Sequence, residues 1–123
     1  MATLNDRVFD NGLTVLDTEA NKITITSAEA TTYTAGNSTL ALGSSTSLSI
    51  AAPSDRTGGG RKVTAAAITD GSVTTSGTAT HYAILDTVNS RLLATGSLTA
   101  SQVVTSGNSF TLSSFDIGIP DPV

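Results

Sequence analysis

The chain has 123 residues, which is enough for one domain with a single core. Six Lys or Arg against ten Asp or Glu give a net charge of −4, and charged residues make up 13 % of the chain. The absence of cysteine excludes disulfides and thiolate metal sites. So few cations argue against nucleic acid as a partner, because its binding needs clustered Lys and Arg.

Hydroxyl side chains replace the missing charges, since Ser and Thr make up about a third of the residues. A neutral surface of this kind is a solubility risk for a free monomer, so we expect partners to cover much of it. The first residues show no basic segment followed by an apolar run, and no stretch approaches the ~18 apolar residues of a membrane span. We therefore expect synthesis in the cytoplasm and no membrane partner.

Apolar residues recur with a period of two along most of the chain, as in the alternation of Ile23 and Ile25 with Thr24 and Thr26. This spacing is typical of half-buried strands. The predicted strands are Leu13–Asp17, Lys22–Thr26, Thr39–Leu42, Ser47–Ala51, Lys62–Thr69, Thr80–Asp86, Arg91–Ser97 and Ser109–Asp116.

Turn signals separate these strands. Asn11-Gly12, Asp70-Gly71 and Gly107-Asn108 favour tight turns, and DTVNSR is expected to join the two strands on either side of it. We find no window of a dozen residues in which apolar residues recur at helical spacing. The best helical candidate is Leu98–Val104, which would form at most two turns. The pattern predicts an all-β fold with under a tenth helix, built as an antiparallel β-sandwich or barrel.

The strand pattern is dense and regular from Arg61 onward and looser before it, so we expect two parts within this single domain. Residues 1–60 are expected to form a looser N-terminal arm with the first strands, ending in a Gly-rich loop, and residues 61–123 the core strands and an extended tail. Pro120 and Pro122 forbid a continued strand ladder in that tail. Tyr82 and Ile84 are predicted to point inward, opposite Leu92, Ala94, Phe110 and Leu112. Ala83 and Leu85 require a cover of their own, either the N-terminal segment or a neighbouring subunit.

The stretch SDRTGGGRK, Ser54–Lys62, raises the question of a phosphate-binding loop. A P-loop needs four residues between its first Gly and a Gly-Lys-Ser/Thr end, followed by a helix. Here Arg61 separates Gly60 from Lys62, and the next segment is predicted to be a strand. We expect a flexible linker in which Arg56, Arg61 and Lys62 are solvated or contact acidic groups of a partner.

Catalytic patterns are also missing. His81 is the single histidine and lies inside a predicted strand without a Gly-x-Ser-x-Gly elbow, so we expect it to be hydrogen-bonded at a subunit contact. Dispersed carboxylates offer no calcium loop, although Asp86 and Asp116 could meet in space as a glycosidase-type pair. The chain has no Trp, two Tyr and three Phe, which argues against an aromatic glycan platform. We expect no enzyme activity, cofactor, metal or small-molecule substrate.

The C-terminal half, Gly77–Leu112, runs GTATHYAILDTVNSRLLATGSLTASQVVTSGNSFTL. It resembles a segment that recurs in small virion proteins of tailed bacteriophages and prophages. In those proteins a His-aromatic-Ala-hydrophobic strand ends in Asp, and L-L-A-x-G-x-L and V-x-x-G-[ND]-x-[FV] follow. SAEATTYTAGNSTLALG and GRKVT are similar to other parts of such sequences. The resemblance implies capsid decoration (cement) or fibre-type components whose fold is an antiparallel β-sandwich of immunoglobulin-like or jelly-roll-like type, and it implies no catalytic residues.

The expected function is therefore a decoration protein on the virion head, bound to the major capsid protein and to copies of itself as a trimer or capsomer-following ring. The alternatives are a tail or head-fibre component, a carbohydrate- or host-receptor-binding module, and a small hydrolase with converging carboxylates. Apolar termini, which would otherwise be exposed patches, are expected to make the contacts. The expected contact residues are Leu4, Arg7, Val8, Phe9, Arg56, Arg61, Lys62, His81, Ile117, Ile119 and Val123.

Overall fold

A computed structural model describes residues 5–121, without the side chains of residues 6–9. The fold is mostly β, with 50 % of the residues in strands and 15 % in helices. One α-helix precedes the strands, and a π-helical turn at Ala35–Thr39 lies between the first two of them. The elements are α1 (Asp6–Glu19), β1 (Lys22–Thr26), β2 (Ala41–Ser45), β3 (Ser54–Asp55), β4 (Arg61–Ala65), β5 (Ile68–Val73), β6 (Gly77–Asp86), β7 (Arg91–Val104), β8 (Ser109–Leu112) and β9 (Phe115–Ile119).

Helix α1 contradicts the expected strand at Leu13–Asp17, the expected turn at Asn11-Gly12 and the expected helix content below a tenth. Leu13 and Leu16 are three residues apart and buried, so α1 does have an apolar stripe at helical spacing, contrary to the prediction. Each buried Leu contributes about 1.5–3 kcal/mol. A Gly inside a helix costs only about 1 kcal/mol relative to Ala. The burial of two leucines therefore outweighs the turn preference of Gly12.

Two antiparallel sheets contain all the described strands. The larger one is curled and has the order β7-β6-β1-β2-β5-β8, and the smaller one has the order β3-β4-β9. The strand at Lys22–Thr26 is confirmed residue for residue, and β6 and β7 are joined by the predicted turn over Asp86–Arg91. The turn at Gly107-Asn108 also leads into β8 as predicted.

A bent two-stranded ribbon links the two sheets. β4 pairs with β9 in the small sheet, and the continuations of these strands, β5 and β8, pair with each other in the large sheet. The chain changes sheet at Ala66-Ala67 and again at Ser113-Ser114. The predictions of single strands at Lys62–Thr69 and Ser109–Asp116 are therefore wrong, because a bend divides each of these segments into two strands. Strands that switch sheets in this way commonly form the corners of packed β-structures.

The expected loose N-terminal arm is wrong, because β1 and β2 occupy the middle of the large sheet, between β6 and β5. Ile23 faces Ile84 of β6 across the strand pair, and both side chains are fully buried. Within the first sixty residues, the segment Ser47–Ala51 was predicted as a strand. It runs beside β4 with a single bridge from Ile50 to Ala65, and Pro53 limits its extension because proline donates no ladder hydrogen bond.

The main core lies between α1, the large sheet and the small sheet. Its buried residues include Leu13 and Leu16 of the helix, Ile23, Ile25 and Ile84 of the large sheet, and Val63 and Ala65 of the small sheet. Phe110 and Leu112 are buried there as predicted, and Tyr82 and Ala94 pack against the cluster. Leu92 does not pack against the cluster as predicted. The register of the β6–β7 pair shifts between Ile84 and Leu85, so that Leu92 pairs with Leu85, and Leu93 contacts the core instead.

On the opposite face of the large sheet, the chain's own segment from Ala28 to Leu40 covers part of β6, β1 and β2. Gly36 packs against Ala83 and Leu85, and its carbonyl accepts a hydrogen bond of 2.8 Å from the buried hydroxyl of Thr24. Of the two covers expected for Ala83 and Leu85, the structure shows the N-terminal segment. β6 is apolar on both faces for that reason.

Strand β7 is longer than expected and includes Leu98–Val104, the predicted helical candidate. Its pairing with β6 jumps from Ala79–Gln102 to His81–Ser97, so residues 98–101 form a bulge on this edge strand. At the other end of the fold, β9 ends at Ile119 directly before Pro120, as the proline predicts.

Candidate functional site

The Gly-rich stretch forms the tip of a hairpin between β3 and β4 and not a flexible linker. Gly58, Gly59 and Gly60 have φ angles of 89°, 102° and 89°, a region that L side chains rarely adopt. Arg56 closes the turn, since its Nη1 donates to the carbonyl of Gly59 at 3.0 Å. Strand β4 follows directly, as predicted, so no helix N-terminus is available here to hold a phosphate.

The two basic residues behind the glycines are engaged within the molecule. Arg61 binds Asp10 of α1 at 2.9 Å and Asp55 of β3 at 2.7 Å, and its side chain is 15 % exposed. Lys62 binds Asp116 of β9 at 3.1 Å. These pairs join the helix, the hairpin and the last strand, so the charges of Arg61 and Lys62 act on this chain's own carboxylates.

The carboxylates considered for catalysis have structural partners. The Asp86 side chain is buried and closes the β6–β7 turn by accepting hydrogen bonds from Val88 and from the backbone and side chain of Asn89. The Asn89 bond is the main cause that lowers the pKa of Asp86. Asp116 accepts from Thr64 at 2.6 Å, and this bond, followed by that from Lys62, lowers the pKa of Asp116. Both groups are held in the charged form.

Asp70 is not part of the turn that was predicted at Asp70-Gly71. It lies in β5 and accepts hydrogen bonds from Ser47 and, at 2.9 Å, from Ser45, which lower its pKa and fix the segment after β2. His81 lies in a strand as predicted, with Nδ1 2.8 Å from the hydroxyl of Thr80. The Thr80 hydroxyl donates to the carbonyl of Ser27, so its oxygen can accept a hydrogen bond from an N–H at Nδ1 of His81. Within residues 5–121, no His and carboxylate cluster could hold a metal ion.

The other expected contact residues are distributed over both ends of the fold. Leu4 and Val123 lie outside the described residues, and Arg7, Val8 and Phe9 belong to α1 with side chains that are not described. Ile117 of β9 packs against the main core, whereas Ile119 is 38 % exposed. The most exposed large apolar side chains of the described chain are instead Val88, in the β6–β7 turn, and Val103 of β7.

A groove of about 400 Å³ lies between the bulge of β7 and the bend that links β8 to β9. The sequence did not predict it. Tyr82 and Phe115 meet in it with ring centroids 4.6 Å apart. Burial raises the pKa of Tyr82, so its phenol stays protonated at neutral pH. The lining consists of Tyr82, Ser97, Leu98, Thr99, Ala100, Gln102, Thr111, Leu112, Ser113, Ser114, Phe115 and Asp116.

The sequence contained one signal for this groove. Gly96 of β7 faces Tyr82 across the strand pair, and a Cβ at Gly96 would lie 2.5 Å from the ring. A glycine opposite an aromatic residue lets the ring lie across the neighbouring strand. The ring of Phe115 is brought next to Tyr82 by the bend at Ser113-Ser114, which no local sequence pattern predicted.

A second depression of about 380 Å³ adjoins the Gly-rich hairpin and is lined by Arg56, Thr57, Lys62, Asp116 and Gly118. Asp116 offsets the charge of Lys62 there. No helix among the described residues has the length and hydropathy needed to cross a membrane. Comparison with protein families, with curated proteins and with solved structures finds no match to this chain.

Proposed function

We propose that this chain is a structural virion protein of a tailed bacteriophage, a capsid decoration protein that binds the major capsid protein and stabilises the head. The observation that carries the proposal is the internal pairing of its charges. Arg61, Lys62 and Arg91 bind carboxylates of the same chain, which leaves an outer surface dominated by hydroxyl groups. Such a surface suits broad, neutral contacts between proteins.

Two further features support this proposal. Asp86 and Asp116, the carboxylates considered for catalysis, are used in a turn and in a strand contact, which favours a scaffold over an enzyme. The resemblance of Gly77–Leu112 to phage virion proteins points to the same class. As part of the proposal, the two sheets act as the two layers of a sandwich-type scaffold of the kind expected for decoration proteins.

The proposed contact surface includes the C-terminal strand. Ile119 projects partly exposed from β9 beside the end of the described chain. A large apolar side chain buried at such a contact contributes about 1.5–3 kcal/mol. Contacts through β9 and through the N-terminal residues would join neighbouring copies in a trimer or a ring that follows a capsomer.

The stoichiometry of the protein in purified particles tests the proposal. Quantitative mass spectrometry of virions that carry this gene should show a fixed, capsid-like ratio of this chain to the major capsid protein. A ratio typical of a tail or fibre component would support the alternative placement within the virion. Absence from purified particles would reject both.

A point variant tests the contact surface without disturbing the fold. Ile119→Thr should weaken binding of the purified protein to particles that lack it, whereas Val88→Thr, in the β6–β7 turn, should bind as the unchanged chain does. Sedimentation of both variants would report on self-association. Equal binding and equal sedimentation of the two variants would remove β9 from the contact. A broader deletion from Gly118 would not be informative, because Gly118 and Ile119 pair with β4.

A further inference from the structure

The groove between β7 and the β8–β9 bend combines polar side chains that have no partner within the described chain. The hydroxyl and amide groups of Tyr82, Ser97, Thr99, Gln102, Thr111 and Ser113 all line it. None of them forms a side-chain hydrogen bond to another described residue, so these donors and acceptors are available to a ligand. From this we propose that the groove binds a short neutral saccharide, a property that goes beyond the capsid role and does not depend on it.

The charge of the groove selects a neutral ligand. Asp116 is its single ionised side chain, and that carboxylate is already bound to Thr64 and Lys62. An anionic ligand would meet a negative charge, and a cationic ligand would find no free carboxylate. Hydroxyl and amide groups both donate and accept hydrogen bonds, which matches the donor and acceptor pattern of sugar hydroxyls.

The apolar part of the groove matches the other half of a sugar. Tyr82 and Phe115 bring two of the chain's five aromatic rings together, and Leu98 and Leu112 extend the apolar surface beside them. A pyranose ring has an apolar face of C–H groups that packs on such a surface, while its hydroxyl groups reach the rim. The volume of about 400 Å³ is within the range of ligand sites, about 300–1,000 Å³.

The edge of β7 argues against an extended peptide in the same place. A peptide that adds a strand needs a regular row of free backbone groups. Residues 98–101 of β7 are bulged at the groove itself, so the row is interrupted where the peptide would pair. The side-chain lining, and not the backbone edge, is the recognition surface.

Nuclear magnetic resonance titration of the isotope-labelled full chain tests the proposal, with maltotetraose, cellotetraose and chitotetraose as probes. The amides of residues 97–102 and 111–115 should shift on addition of at least one probe, with a dissociation constant of about 1 mM or below. Tyr82→Phe keeps the ring and removes the free hydroxyl, and it should weaken that binding about fivefold. Tyr33→Phe, at the other tyrosine and outside the groove, is the matched control and should leave it unchanged.

Three outcomes would overturn the proposal. The first is the absence of groove shifts with every probe at about 20 mM, a concentration that detects even weak sugar sites. The second is shifts in the groove with a neutral Thr-Val repeat peptide but with no saccharide. The third is equal weakening by Tyr82→Phe and Tyr33→Phe, which would place any saccharide contact outside the groove.

Discussion

The ring of Phe110 in β8 lies against the backbone of Gly71 in β5, its partner in the adjacent strand, so closely that a Cβ at Gly71 would overlap the ring. The same ring lies 3.1 Å from the place of a Cβ at Gly43 in β2. The buried ring of Phe110 therefore lies across β5 and reaches β2. Gly71 is needed for this close approach within a strand, and not for the tight turn that Asp70-Gly71 predicted.

Substitution of Gly71 by Ala should therefore destabilise the fold. The added methyl must displace a buried ring, and overpacking of a core typically costs about 1–3 kcal/mol. Urea unfolding followed by circular dichroism measures the change. Gly12→Ala is the matched control, because nothing lies within 4 Å of its Cβ position in α1. Alanine there should stabilise the helix by up to about 1 kcal/mol, and an equal loss in both variants would contradict the packing role of Gly71.

The glycines with a positive φ are expected to differ in how much stability a substitution by alanine costs. Gly60 has φ 89° and its Cβ position overlaps the carbonyl oxygen of Ile119, whereas Gly107 has φ 93° with open space around it. Gly107→Ala should lose about 1–2 kcal/mol from the left-handed backbone alone. Gly60→Ala should lose more, because β9 must also move. Unfolding free energies of the two variants measure the difference, and equal values would show that the contact with β9 has no cost.

The link between α1 and the β3–β4 hairpin should contribute measurably to stability. Arg61 is largely buried and binds both Asp10 and Asp55, and hydrogen bonds to charged groups contribute about 1.5–3 kcal/mol. Since the Asp10 side chain is 33 % exposed and that of Asp55 is 89 % exposed, solvent weakens both pairs, and we expect Arg61→Met to lose about 1–2 kcal/mol. Arg91→Met is the control, because the Arg91–Glu19 pair is 3.4 Å long and exposed and should contribute at most about 0.5 kcal/mol. Equal effects in thermal unfolding would argue against the link.

Acid should destabilise the protein through its structural carboxylates. The pKa of Asp86 is lowered in the folded state, mainly by the Asn89 hydrogen bond, so the unfolded chain binds the proton more readily. The stabilisation by Asp86 is therefore complete above the unfolded pKa of about 3.9 and is lost as the pH falls through the folded value. The free energy of unfolding, measured from pH 6 downward, should start to decrease near that point.

The variant Asp86→Asn should flatten this part of the pH profile, because the side chain no longer titrates. Added salt distinguishes the causes: hydrogen bonds dominate the lowered pKa of Asp86, so about 1 M NaCl should leave most of the acid loss in place. A profile that is unchanged by Asp86→Asn would assign the acid sensitivity to other groups.

The sequence by itself determined the β-rich class, the strand at Lys22–Thr26, the turn between β6 and β7 and the end of β9 before Pro120, because period-two burial, turn residues and proline act locally. It also indicated that Ala83 and Leu85 need a cover. The helix was missed since Gly12 and Asn11 carry a local turn preference, and only the burial of Leu13 and Leu16 against distant strands outweighs it.

Tertiary structure alone decided the site. The bends at Ala66-Ala67 and Ser113-Ser114 carry a paired ribbon from one sheet to the other, and this brings Phe115 onto Tyr82 although the two are far apart in the chain. The bulge at residues 98–101 then opens the groove beside them. Register shifts and sheet changes depend on contacts between strands, which a local pattern of apolar residues does not contain.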